Sequence, residues 1–140
     1  MAGLDSATPA PTAITLHGTS KVLEVCFANG QRFELSFEFL RVCSPSAEVR
    51  GHGPGQEVLQ VGKRDVDVVG IEPVGHYAIK PLFSDGHESG IYSWAYLYEL
   101  GMHRDALWHE YLNRLELAGA SREPLVGESA FKAVSRGGCG

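Results

Sequence analysis

Cysteine is scarce. The three in this 140-residue chain, Cys26, Cys43 and Cys139, are an odd number at no framework spacing. That excludes a small disulfide-stapled fold and fits a reduced, cytoplasmic protein. Excess positive charge is missing as well: 12 Lys and Arg against 17 Asp and Glu leave a net −5. A general nucleic-acid binder, which needs a clustered basic face, is therefore not expected. No apolar run approaches the roughly 20 residues of a membrane span. The start, MAGLDSATPAPTA, has neither the basic nor the apolar region of a secretory signal. Internal repeats are absent. What remains is a chain long enough for one domain with a modest core.

That domain is expected over residues 14–118, with loose tails at 1–13 and 119–140 whose composition offers little to bury. The strongest local pattern is KVLEVCFANGQRFELSF. Leu23, Val25 and Phe27 alternate with polar or small residues, and so do Phe33, Leu35 and Phe37, the signature of two half-buried strands. A two-residue Asn29-Gly30 turn would pair Val25 with Glu34. A three-residue loop, Ala28-Asn29-Gly30, pairs Val25 with Phe33 and Leu23 with Leu35, and the apolar pattern selects it. Gly30 then takes the left-handed position that closes a type I turn with a bulge.

Ser36 is placed to cap a short helix, FEFLRV. RDVDVVGIEPV and HYAIKPLF read as strands, Ile91 and Tyr92 as a brief extended piece, and Ser93 as the cap of WAYLYEL, with Gly101 as its C-terminal stop. In the last helix Leu107, Tyr111 and Leu115 form one apolar stripe. Strands first and helices last point to an α+β fold, a mainly antiparallel sheet packed with short helices and a C-terminal amphipathic helix.

Chemistry is harder to find. GPGQEVLQVGKRD imitates a phosphate loop, yet six residues separate Gly55 from Gly62 where four are needed, and Arg64 stands where a Ser or Thr should bind magnesium. The His103-Arg104-Asp105 triplet has the His-x-Asp form of iron oxygenases. The next histidine, His109, lies six residues on, about 600° around a helix and so on an opposed face. Asp105 is better read as a first-turn acid of the helix. Cys43 stands in no nucleophile signature, Cys26 lies on the strand face opposite Val25, and Asp85 belongs to an ordinary Asp-Gly turn. Arg41, Arg50, Lys63 and Arg64 outnumber Glu48 and Glu57 between residues 41 and 64, which makes a weak anion site conceivable.

Taken together, LRVCSPSAEVRGHGPGQ and VGIEPVGHYAIKPLFSDGHESGIYSWAYLYELG, in that order, resemble the gamma-butyrobetaine hydroxylase-like N-terminal domain, long listed as a domain of unknown function. The resemblance covers about residues 14–102. In the hydroxylases this domain precedes a separate jelly-roll oxygenase, for which the residues after 102 are too few. The resemblance implies a structural zinc held by three cysteines and a histidine. Those positions fall here on Ser44, Ser46, Val49 and His87. Two hydroxyls and a valine cannot replace thiolates, so no bound zinc and no other cofactor are expected. A lesser alternative is a makeshift site of Cys43, His52 and His87.

The expected function is a small cytoplasmic binding or adaptor module without catalysis of its own, acting on a protein partner as monomer or homodimer. Its candidate surface is Arg41, Arg50, His52, Lys63, Arg64 and His87, on the 41–64 loop and the 84–90 turn. The bland reading of the same residues makes Glu38 and Arg41 surface charges and lets His87 bond nearby backbone. The rival functions are an accessory role in metal or iron–sulfur delivery, suggested by similar domains attached to iron–sulfur carriers, and a small-anion enzyme using the basic 41–64 loop. Trp94 and Tyr98, one helical turn apart, would mark a partner surface if exposed together.

Overall fold

A computed structural model describes residues 8–51 and 55–124. The element order is β1 (Pro11–His17), β2 (Val22–Phe27), β3 (Arg32–Ser36), α1 (Phe37–Val42), α2 (Ala47–Arg50), β4 (Val68–Val74), β5 (Ala78–Phe83), β6 (Tyr92–Ser93), α3 (Trp94–Met102) and α4 (Arg104–Ala118). Two three-stranded antiparallel sheets, β1-β2-β3 and β4-β5-β6, share one core with the helices. The fold is α+β. None of the described helices is long and apolar enough to cross a membrane.

The first hairpin has the register that its apolar pattern demands, with Val25 opposite Phe33 and Leu23 opposite Leu35. Phe27 N–H donates to the Gln31 carbonyl at 2.8 Å, which leaves Ala28, Asn29 and Gly30 as the loop. Gly30 has φ +90°, a conformation without penalty only for glycine. Leu23, Val25, Phe27 and Leu35 are buried, each contributing roughly 1.5–3 kcal/mol by removal from water. They meet Phe37, Phe39 and Leu40 of α1, Val68, Ile79 and Phe83 of the second sheet, and Tyr92, Leu97 and Leu100.

Pairing of β5 with β6 covers only Ala78 and Ile79. Two residues further on, Pro81 has no N–H to extend that ladder. Ser36 and Ser93 accept hydrogen bonds from Phe39 N–H at 3.0 Å and Tyr96 N–H at 3.1 Å, so both helices start where their caps predict.

Three expectations need correction. Regular structure reaches back to Pro11, ahead of the expected start at 14, because β1 pairs along β2 from there; as an edge strand with no fully buried residue it carries little apolar signal. Order also extends past 118, since Gly62 N–H and Arg64 N–H donate to the carbonyls of Ser121 and Arg122 at 3.0 Å. Gly101, finally, does not stop α3, which runs on to Met102. It is a point of close approach between the helix and the first sheet: a Cβ there would lie 2.2–2.6 Å from the Phe33 ring. That ring is held by edge contacts with Phe27 and Tyr98, at 5.9 and 5.6 Å between centroids.

Helix propensity alone would make Gly101→Ala stabilising by about 0.5–1 kcal/mol. The packing predicts the opposite sign, a loss of roughly 1–3 kcal/mol from overpacking. A urea midpoint that falls at unchanged slope is the expected result; a midpoint that rises refutes the packing account.

Candidate functional site

Helix α1 carries two charges into the interior. Arg41, expected on the surface, is buried. Its Nε donates to Asp85 Oδ2 at 2.9 Å and its Nη1 to Gln60 Oε1 at 2.9 Å. Lys63 Nζ reaches the same Asp85 oxygen at 2.8 Å, and Asp85 Oδ1 accepts the His87 N–H at 3.2 Å. Burial works to raise the Asp85 pKa, but the Lys63 hydrogen bond, the Arg41 charge and the His87 amide outweigh it and bring it down to about 2. Glu38, also expected on the surface, is buried as well and takes a two-pronged bond from Arg122, 2.8 Å on each oxygen. The Arg122 guanidinium lies 5.2 Å over the Trp108 ring. Paired charges can be buried; unpaired ones cannot.

Beside Arg41 the chain turns through Cys43, Ser44 and Pro45 into α2, capped by Ser46, whose Oγ accepts from Glu48 N–H at 3.2 Å. Ser44 and His87 are buried, with Ser44 Oγ 2.8 Å from His87 Nε2 and Glu48 Oε1 3.0 Å from His87 Nδ1. Ser46 Oγ bonds Ser89 Oγ at 2.7 Å. Burial and then the Arg41 charge lower the His87 pKa, against the pull of Glu48 and Asp85. A neutral ring follows at neutral pH. Glu48 accepts the Nδ1 proton, so Nε2 is left to accept from Ser44.

Serine, histidine and glutamate thus stand in the order of a hydrolytic triad. Ser44 nevertheless cannot attack a substrate as it stands. It has 0% exposure, its Oγ already accepts from Ser46 N–H at 3.2 Å, and a Cβ on Gly90 would lie 2.5 Å from that oxygen. No carbonyl carbon reaches it without displacing the 84–90 turn.

The remaining candidate residues separate from this cluster. Arg50 is exposed, donates to Tyr96 Oη at 3.0 Å and lies 5.8 Å over the Tyr96 ring. Arg64 is paired with Glu123. His52 lies outside the described residues. Trp94 and Tyr98 are half-buried against the core, so they present no joint exposed patch. Cys43 is half-buried, and burial pushes its thiol up to about 12, which leaves it protonated and a poor nucleophile.

Cys43 lines a groove of about 570 Å3 between the 42–60 segment and helices α3 and α4. Val49, Val58, Leu100 and Leu107 make its apolar part, while Arg50, Glu99, Glu110 and Arg114 bring both signs of charge. The sequence reading missed this groove, and also missed Gln60, Ser89, Tyr111 and Arg122 as structural partners. Tyr111 Oη donates to the Gln60 carbonyl at 2.7 Å. None of these pairings leaves a local signal, because the partners are 19 to 84 residues apart.

This architecture, two small sheets over one core with a capped helix entering a polar turn, defines a compact α+β domain class. A family model described as gamma-butyrobetaine hydroxylase-like, N-terminal, matches residues 14–98, and the chain belongs to that family. Two solved solution structures are 50% and 52% identical to it, both at TM-score 0.74; they cover 85% and 87% of this chain and 94% and 91% of their own. A crystal structure of a protein of unknown function from Acidithiobacillus ferrooxidans, assigned to the DUF971 family, is 42% identical over 65% of this chain and 91% of its own, at TM-score 0.55. No curated protein matched.

The zinc that the family resemblance implies does not fit the residues present. Ser44 and Ser46 offer hydroxyls already engaged with His87 and Ser89, and Val49 offers methyl groups. A tetrahedral structural site needs thiolate, imidazole or carboxylate ligands. Among the described residues no group of three His, Cys, Asp or Glu side chains is placed to hold a metal.

The Asp85 geometry carries a pH signature. Its folded value of about 2 lies below its ordinary 3.8, so its contribution is complete above about pH 5 and disappears as pH falls toward about 2, a change of roughly 2 kcal/mol at most because the carboxylate is partly exposed. Asp85→Asn leaves Arg41 without its anion and is destabilising at neutral pH. The stability gap between the two proteins should narrow between about pH 5 and about pH 2. A constant gap in urea midpoints across that range contradicts the assignment.

Proposed function

We propose that this domain is a non-catalytic binding or adaptor module, and that its working face is the groove between the 42–60 segment and helices α3 and α4. One observation carries this reading: the groove joins an apolar floor to unlike charges, the composition of a recognition surface. Arg41 and His87 stood in the candidate surface read from sequence, but both are buried in internal bonds. Arg50 remains, and Arg114, Glu99 and Glu110 join it. The partner class that fits is a protein segment with an aliphatic or aromatic side chain flanked by charges of both signs.

The rival functions gain less. A small anion would have to displace Asp85 from Arg41 and Lys63, and Glu123 from Arg64. A role in iron–sulfur delivery calls for soft donors held close together. Cys26 and Cys43, the described cysteines, lie on separate elements.

The groove reading is tested by affinity capture from native extract with three baits: the natural chain, a Val58→Asp/Arg114→Glu variant, and a Val69→Asp control on the exposed side of β4. Val58 and Val69 are both exposed, so neither change disrupts the core. The expected outcome is a partner held by the natural chain and the control, with at least tenfold less on the groove variant. Equal capture by all three, or no partner at all, overturns the proposal.

A further inference from the structure

We propose that the hydrogen-bonded clasp of His87, Ser44, Glu48, Ser46 and Ser89 takes the place of a metal in this chain, locking α2 and the residues before it onto the 84–90 turn. The clasp is independent of whether the groove binds a partner.

Its circuit of donors and acceptors is complete. Ionised Glu48 only accepts, so Nδ1 of His87 carries the ring proton. Nε2 is then an acceptor, filled by the Ser44 hydroxyl, whose oxygen in turn accepts from the Ser46 amide. Ser46 Oγ and Ser89 Oγ close a second bridge between the same two segments, 43 residues apart. Among the described residues no buried side-chain nitrogen or oxygen lacks a partner. A metal at Nε2 would have to break the Ser44 bond, and the hydroxyl it displaced is a poor ligand.

Packing gives the clasp its tightness. The His87 ring lies 5.9 Å from the Phe83 ring. Gly90 lets the turn close onto the serine, because a Cβ there would stand 2.5 Å from Ser44 Oγ and 3.2 Å from the Tyr92 ring. The Arg41–Asp85 pair, at 2.9 Å, fixes the base of the same turn. Val49 and Arg50, which the clasp positions, form part of the groove wall.

Nitrogen-15 NMR of the His87 imidazole in the full-length protein, combined with thermal melting, tests the clasp. The expected spectrum has the proton on Nδ1 and an unprotonated Nε2 that shifts in Ser44→Ala. Melting curves with a chelator or with added zinc chloride should coincide with that of the untreated protein, and Ser44→Ala should lower the midpoint by several degrees. A proton on Nε2, a chelator-induced fall in the natural chain's midpoint, or stoichiometric zinc in that protein overturns the inference. The tautomer and the chelator response are read on the natural chain, so they decide the matter even if the variant does not fold.

Discussion

Burying the Arg41 guanidinium is the constraint on which the rest turns. A buried, unpaired guanidinium costs several kcal/mol, so its position at the end of α1 requires acceptors from elsewhere in the chain. Asp85 supplies one and brings the 84–90 turn; Gln60 supplies the other and brings the end of the glycine-rich loop. Each recruit then holds more of the structure. Asp85 takes Lys63 and the His87 amide, and the Gln60 carbonyl takes Tyr111 from α4. Three residues earlier in the same short helix, Glu38 does the equivalent for the segment after α4 by binding Arg122. A helix of six residues thus holds both a long loop and the end of the described chain.

The same pairings engage the residues that suggest chemistry. A serine, a histidine and a glutamate lie within hydrogen-bonding distance in triad order, but reactivity also needs an approach path, and Gly90 and Tyr92 occupy it. Cys43 has a thiol that burial keeps protonated. Basic residues of the 41–64 segment are each paired with a carboxylate or an aromatic ring. Unlike charges around apolar surface line the groove beside α3 and α4, the face proposed for recognition.

Membership of the gamma-butyrobetaine hydroxylase-like N-terminal family and the solved relatives, matched over 91–94% of their own chains, agree with this picture of a domain defined by its fold. In this chain the turn after α1 carries the Ser44–His87–Glu48 and Ser46–Ser89 bonds. Side-chain hydrogen bonds saturate the donor set there, so the conformation of the turn follows from directional bonds between neutral groups and a carboxylate. Such bonds are individually modest, about 0.5–1.5 kcal/mol each. Their effect comes from being made together, in a place from which water is excluded.

The hairpin register, the Gly30 turn and the serine caps of α1 and α3 were legible in the amino-acid order, since each depends on residues within a few positions of one another. So was the apolar stripe of α4, whose Tyr111 and Leu115 are buried. Gly101 misled, because a glycine near a helix end looks the same whether it stops the helix or admits a neighbouring ring; only the Phe33 contact distinguishes the two. Arg41, Glu38 and His87 looked like surface groups because nothing local betrays a partner 44, 84 or 39 residues away. Periodicity and capping are short-range sterics, written along the backbone. Which buried charge meets which counter-charge is a matter of how the elements close on one another, and it was resolved only in the folded molecule.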